Sequence, residues 1–185
     1  SKGICKRNKH FVFTLRKCNP IEDTKVFCFK KETDMLKACM NFIQQVGPDY
    51  LVGHNVKNFD LHYIIKRLEI LREIDNVKSF GKIKNTVLSV KERTFKSRAF
   101  GERKILIFVC HGVSIVDTFE IYIREKKLRS YKLQNIAKVV LGDTKNDMPY
   151  VSIPGFFWGD ADSNKLVNEY CKKDASLTIQ ILNKG

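Results

Sequence analysis

An α/β fold, a mixed sheet with helices packed against it, is the architecture this sequence predicts. Two observations carry that prediction. Short runs rich in β-branched and aromatic residues alternate with runs of helical periodicity, in the order strand, helix, strand, helix through the first 74 residues. Farther on, Ile105-Leu106-Ile107-Phe108-Val109-Cys110 is a continuous apolar run of strand length. The chain has 185 residues, 43% of them apolar, which fits one domain with a substantial core, and it shows no internal repeat, low-complexity tract or interdomain linker.

Each element has its own signal. His10-Phe11-Val12-Phe13-Thr14-Leu15 reads as a strand, Asn19-Pro20 as a turn, and Lys25-Val26-Phe27-Cys28-Phe29 as a second strand. Thr33 offers an N-cap to a helix whose apolar positions are Met35, Leu36, Cys39, Phe42, Ile43 and Val46, and Gly47-Pro48 ends it. Leu51-Val52 forms a buried strand, and a polar turn leads into a helix over residues 60–74. Thr86-Val87-Leu88-Ser89-Val90 and Arg93-Thr94-Phe95 are strand candidates, joined through the basic turn Gly101-Glu102-Arg103-Lys104 to the 105–110 strand. Gly112-Val113-Ser114-Ile115-Val116-Asp117 follows, and its proximity to the 105–110 run suggests a hairpin about His111-Gly112. Asp117 caps a helix over 118–126; Ser130 or Tyr131 opens another, with Leu133–Leu141 as its body and Gly142 as its stop. Residues 143–160 read as a loop, whose Phe156, Phe157 and Trp158 either tuck onto the core, the preferred reading, or form an exposed patch. A last helix runs over 163–182.

Composition excludes several classes. No apolar run reaches 18 residues, so no membrane helix is expected, and no h-region follows the basic start Ser1-Lys2-Gly3-Ile4-Cys5-Lys6-Arg7. The six cysteines at 5, 18, 28, 39, 110 and 171 make no C-x-x-C pair, which argues against structural zinc; free thiols in a reducing compartment are the simplest account. The net charge of +14 attracts polyanions, with nucleic acid the first candidate and a solvated lysine-rich surface the bland alternative.

Two stretches carry chemistry. Gly53-His54-Asn55-Val56-Lys57-Asn58-Phe59-Asp60 joins a strand to a helix and gathers an amide, an aromatic ring and a carboxylate near a helix N-terminus. A carboxylate can hold a divalent cation and an aromatic ring can stack on a base. On spacing alone the commoner use of Asp60 or Asn58 is to cap the helix. In the last helix Tyr170 and Asp174, four residues apart, share a face; alone, the pair fits an ordinary half-buried Tyr and a solvated Asp equally well.

Taken together these stretches resemble known motifs. Gly47-Pro48-Asp49-Tyr50-Leu51-Val52-Gly53-His54-Asn55-Val56-Lys57-Asn58-Phe59-Asp60-Leu61 is similar to the Exo II motif of family B DNA polymerases, and Tyr170-Cys171-Lys172-Lys173-Asp174-Ala175 to their Exo III motif. Between them, Arg124-Glu125-Lys126-Lys127-Leu128-Arg129-Ser130-Tyr131-Lys132-Leu133-Gln134-Asn135, followed by Leu141-Gly142, resembles a signature of the delta-like and large-DNA-virus branch. The order matches, and the resemblance covers nearly the whole chain.

The resemblance implies an RNase H-like 3′→5′ exonuclease domain over residues 1–185 that proofreads by hydrolysing a mispaired 3′-terminal nucleotide of single-stranded DNA. It implies that Asp60 and Asp174 bind metal, two Mg²⁺ or Mn²⁺ ions in the intact domain, and that Tyr170 orients the attacking water. Asn55, Phe59 and His54 would contact the strand. The expected partners are the 3′ end, the primer-template and the N-terminal and palm domains of a polymerase, with no membrane. The expected location is the nucleus, or a cytoplasmic replication site for a virus.

The family's Exo I pair, Asp-x-Glu, has no counterpart here: Ile21-Glu22-Asp23 has the wrong order and follows Pro20 in a turn. Residue 1 is read as lying after Exo I. Two carboxylates hold at most one ion weakly, so the isolated chain is expected to be inactive or nearly so. His54 and Lys126 stand where many relatives carry Tyr. Two other classes stay open: a degenerate domain that binds single-stranded DNA without cutting, and a stand-alone RNase H-like nuclease acting on RNA.

Overall fold

The computed structural model describes residues 8–73, 81–83, 89–97, 101–142 and 148–184. In chain order the elements are strands β1 (His10–Leu15) and β2 (Thr24–Phe29), helix α1 (Glu32–Val46), strand β3 (Tyr50–Gly53) and helix α2 (Asp60–Ile70). Strands β4 (Ser89–Ser97), β5 (Gly101–Val109) and β6 (Ser114–Asp117) follow, then helices α3 (Thr118–Glu125), α4 (Leu133–Leu141), α5 (Ile153–Trp158) and α6 (Ala161–Lys184). Mixed α/β content is thus as expected. One continuous mixed sheet is not: the described strands form three two-stranded ladders, β1 with β2, β3 with β6 and β4 with β5. A ladder widens only where another strand offers its free N–H and C=O edge, and no described strand pairs with a second neighbour.

Contacts divide the chain into two compact units, residues 1–35 with 146–174, and 36–145 with 175–185. In the first, β1 and β2 run parallel, from His10 opposite Thr24 to Leu15 opposite Phe29, and Phe13 stacks on Phe27 with ring centroids 5.0 Å apart. The N-terminal part of α6 is fastened to the end of β1 by two buried amides. Asn164 donates to the carbonyls of Leu15 and Lys17, both at 3.0 Å. Asn168 donates to Thr14 Oγ1 at 3.2 Å and to Asn164 Oδ1 at 3.1 Å. Helix α6 starts where the Asp160 side chain accepts the Ser163 N–H at 2.8 Å, a bond that also holds the Asp160 carboxyl below its usual range.

The loop expected over 143–160 contains a 3₁₀ turn, Tyr150–Ser152, and the short helix α5. Its aromatics do not tuck in: Trp158 is 66% exposed, and its ring is met by the Arg16 guanidinium at 5.4 Å while its carbonyl accepts from Arg16 at 2.8 Å. A cation–π contact with a polar tie to the main chain takes the place of burial in the core.

In the second unit, β3 and β6 are parallel, with Gly53 opposite Asp117, and β4 and β5 form an antiparallel pair. The hairpin expected about His111-Gly112 is absent. The two runs on either side of Gly112 (φ 81°) each pair with an earlier strand, β5 with β4 and β6 with β3. Buried Met40, Val56, Leu61, Cys110 and Val113 form one apolar cluster; Tyr122, Ile136, Ala137, Leu177 and Ile181 form another. Helix α1 starts at Glu32, so Thr33 lies inside it rather than capping it. Helix α4 starts at Leu133 behind an N-cap at Lys132, two or one residues later than expected, and Gly142 closes it in the left-handed conformation (φ 73°). The expected strand over 86–90 lies partly outside the described residues, as does Cys5; the five described cysteines are free thiols.

Candidate active site and nucleic-acid groove

The site grows from the pairing of β3 with β6. Parallel pairing sets the carboxyl ends of the two strands side by side, the place where α/β folds gather ligand-binding loops. Beyond Gly53 lies the turn 54–59; beyond Asp117 lies α3. Gly53 is required by space, because a Cβ there would stand 2.4 Å from Cβ of the buried Val56. Asn55 adopts a left-handed conformation (φ 58°), which Asn tolerates better than most residues.

Asp117 holds this turn. Its carboxylate is 3% exposed. It accepts the backbone N–H of Asn55 at 2.7 Å, of Lys57 at 3.3 Å and of Phe119 at 3.0 Å. The helix cap expected from the sequence is therefore present, but the same group also closes a junction with a turn 62 residues away along the chain. Sequence reasoning missed this second role. Its one available signal is an Asp at the end of an apolar strand, where a capping carboxylate is buried together with its neighbours.

Asp60 is the first residue of α2, and Phe59 is the N-cap with no side-chain cap bond, so neither Asp60 nor Asn58 caps the helix. The Asp60 carboxyl is raised from its ordinary range. Desolvation by the surrounding protein is the largest cause, its own backbone N–H pulls the other way, and the negative charge of Asp117 adds to the rise. The residue still reaches solvent, which limits the size of the effect. Lys57, the nearest cation in sequence, is engaged with Glu120 at 2.7 Å. Asn55 Oδ1 accepts from Asn58 at 3.3 Å, and Phe59 is 68% exposed.

A groove of about 480 Å³ opens between the turn and the chain before α4. One side carries His54, Asn55 and Phe59, the other Ser130, Tyr131, Lys132 and Leu133, with Phe119 between them. Aromatic rings, one amide, one hydroxyl and one ammonium, with no carboxylate in the lining, suit a base and its phosphate. The second wall comes from the 124–135 stretch, which sequence reasoning singled out as a signature without assigning it to the site.

Thus the structure brings His54, Asn55, Phe59 and Asp60 together on one turn. Tyr170 and Asp174 lie one turn apart on α6, both half-buried, in the first unit. Among the described residues no group of three His, Cys, Asp or Glu side chains is arranged to hold a metal ion, and no helix is long and apolar enough to cross a membrane.

A family model described as the exonuclease domain of DNA polymerase family B matches residues 1–136. The chain belongs to that family of exonuclease domains. DNA polymerase delta catalytic subunits are similar to it over most of its length: 36% identity over 173 residues for the Schizosaccharomyces pombe protein, 35% over 173 for that of Drosophila melanogaster, and 33% over 174 for that of Plasmodium falciparum. Each match covers 94% of this chain and 16% of the relative, so the chain spans about a sixth of the length of these curated proteins.

Proposed function

We propose that the chain is the RNase H-like 3′→5′ proofreading exonuclease domain of a replicative DNA polymerase in the nucleus, hydrolysing the terminal phosphodiester of single-stranded DNA. The observation that carries this reading is the groove. It is lined by the Exo II turn and the delta-like signature, and Asp60 follows directly on the lining residue Phe59. Phe59 offers a ring for a terminal base, a contact worth about 1–3 kcal/mol per base. The Asn55 amide nitrogen has no partner among the described residues and faces the same base or its phosphate. Lys132 adds the positive charge a phosphate needs.

The donor set fits a hard divalent cation in part. Asp60 carries a carboxyl whose desolvation and proximity to Asp117 a cation would relieve, and Asp174 supplies a second oxygen donor. Asp117 is not a ligand, because three N–H groups already occupy its oxygens. When bound, Mg²⁺ or Mn²⁺ supplies charge stabilisation at the attacking and leaving oxygens of the phosphodiester. The chain's own contribution is to hold the strand in the groove and to present Asp60 and Asp174, with Tyr170 orienting the attacking water. Two carboxylates do not complete a two-ion shell, so the 185-residue chain on its own is inactive or nearly so.

The test uses the polymerase that contains this chain, with Asp174→Ala and a 3′-mispaired single-stranded substrate. Excision falls by orders of magnitude while oligonucleotide binding persists. Excision at the parental rate would remove Asp174 from the site.

A further inference from the structure

His54 is tied to both walls of the groove and has no ring nitrogen left for a ligand. Nδ1 lies 2.9 Å from Thr118 Oγ1, and Nε2 lies 2.9 Å from the carbonyl oxygen of Tyr131. A carbonyl only accepts, so Nε2 carries a proton and donates it. In the neutral ring, Nδ1 accepts the Thr118 hydroxyl proton. In the charged ring, Nδ1 donates to Oγ1, and that hydroxyl turns to the Gly53 carbonyl, 3.3 Å away. Both forms leave both links intact.

The ring packing repeats the pattern. His54 stands edge-on to Phe119, with centroids 5.7 Å apart, and Phe119 stands edge-on to Tyr131 at 6.2 Å. The Tyr131 phenol is committed elsewhere: it donates to the Lys126 carbonyl at 2.9 Å and accepts the Leu128 N–H at 3.3 Å. The segment before α4 is therefore closed on itself, and His54 links its main chain to the Exo II turn.

We propose that His54 is a positioning residue rather than a DNA contact: by gripping the main chain at Tyr131 it fixes how far Ser130, Lys132 and Leu133 stand from Asn55 and Phe59, and so sets the width of the single-strand groove. This rests on the reading of the groove as the strand's site. Phe at this position keeps the ring contact with Phe119 and loses both hydrogen bonds; Gln keeps a donor for the Tyr131 carbonyl.

In the polymerase that contains this chain, His54→Phe raises KM for a single-stranded oligonucleotide about tenfold, with kcat held within about twofold, the effect of losing about one hydrogen bond's worth of positioning. His54→Gln restores KM to within about twofold of the parent. An unchanged KM in His54→Phe, or a Gln variant no better than the Phe variant, overturns the role. Phe59→Ala is the parallel arm. If it too leaves KM unchanged, the strand-binding reading of the groove falls, and the role of His54 within it falls as well; if it raises KM while His54→Phe does not, only the His54 inference is lost. Should His54→Phe fail to fold, ring ¹⁵N shifts of the unaltered protein decide. Nε2 protonated both before and after oligonucleotide addition supports the inference, and a change of tautomer on addition overturns it.

Discussion

The carboxylate of Asp117 accepts the backbone N–H of Asn55 at 2.7 Å while capping α3 through the N–H of Phe119 at 3.0 Å. One buried acid thus sets both the shape of the Exo II turn and the start of the helix beside it. Asp117→Asn leaves one oxygen and turns an NH₂ toward a backbone donor, so stability falls by about 1–3 kcal/mol, and Asp117→Ala by more. The midpoint of denaturant unfolding reads this directly. An unchanged midpoint in both variants would show that the turn holds itself.

At Asn55, the backbone and side-chain roles can be separated. Asn55→Gly keeps the left-handed conformation (φ 58°) at little cost, whereas Asn55→Ala strains it by about 1 kcal/mol. Both remove the amide. Oligonucleotide affinity therefore drops in both variants while stability drops only in the Ala variant. Equal affinity in the Gly variant and the parent would take the amide out of strand binding.

Gly53 has no room for a side chain beside Val56. Gly53→Ala displaces that buried valine and the turn it anchors, at about 1–3 kcal/mol. Unfolding and oligonucleotide titration should both weaken, and a variant of parental stability would show that the turn relaxes freely.

Much of this was legible in the sequence, and the failures share one cause. Strand β1, helix α3 with its Asp117 cap and the Gly142 stop on α4 are local patterns, so the residues themselves announce them. Pairing partners are not local. The parallel ladder of β3 with β6 joins Gly53 to Asp117, and nothing near Gly112 signals that its two flanking strands go to different neighbours. Helix α5 was hidden by Pro154 and Gly155, which read as loop residues although Pro fits a first helical turn. In the site, the motif turn was visible, but the second wall at 130–133 and the grip of Asp117 exist only once the fold brings distant residues together.

Asp60 gives a pH-dependent prediction. Its folded carboxyl holds a proton to higher pH than the unfolded one, whose ordinary value is 3.8. Above the raised folded value its charge costs stability in full, and below the unfolded value the cost vanishes, so this group's contribution falls as pH rises through that interval. Asp60→Asn is accordingly more stable than the parent at neutral pH, and the gap closes on acidification. Paired unfolding curves across pH measure it; a gap that widens toward acid would reverse the sign.

The most direct measurement is excision of a mispaired 3′-terminal nucleotide by the polymerase that contains this chain, in Mg²⁺, with Asp60→Ala as the only change. Excision lost by orders of magnitude, with single-strand affinity nearly intact, is the expected result. Undiminished excision would contradict the role of Asp60 and, with it, the assignment of the Exo II turn to the nuclease site.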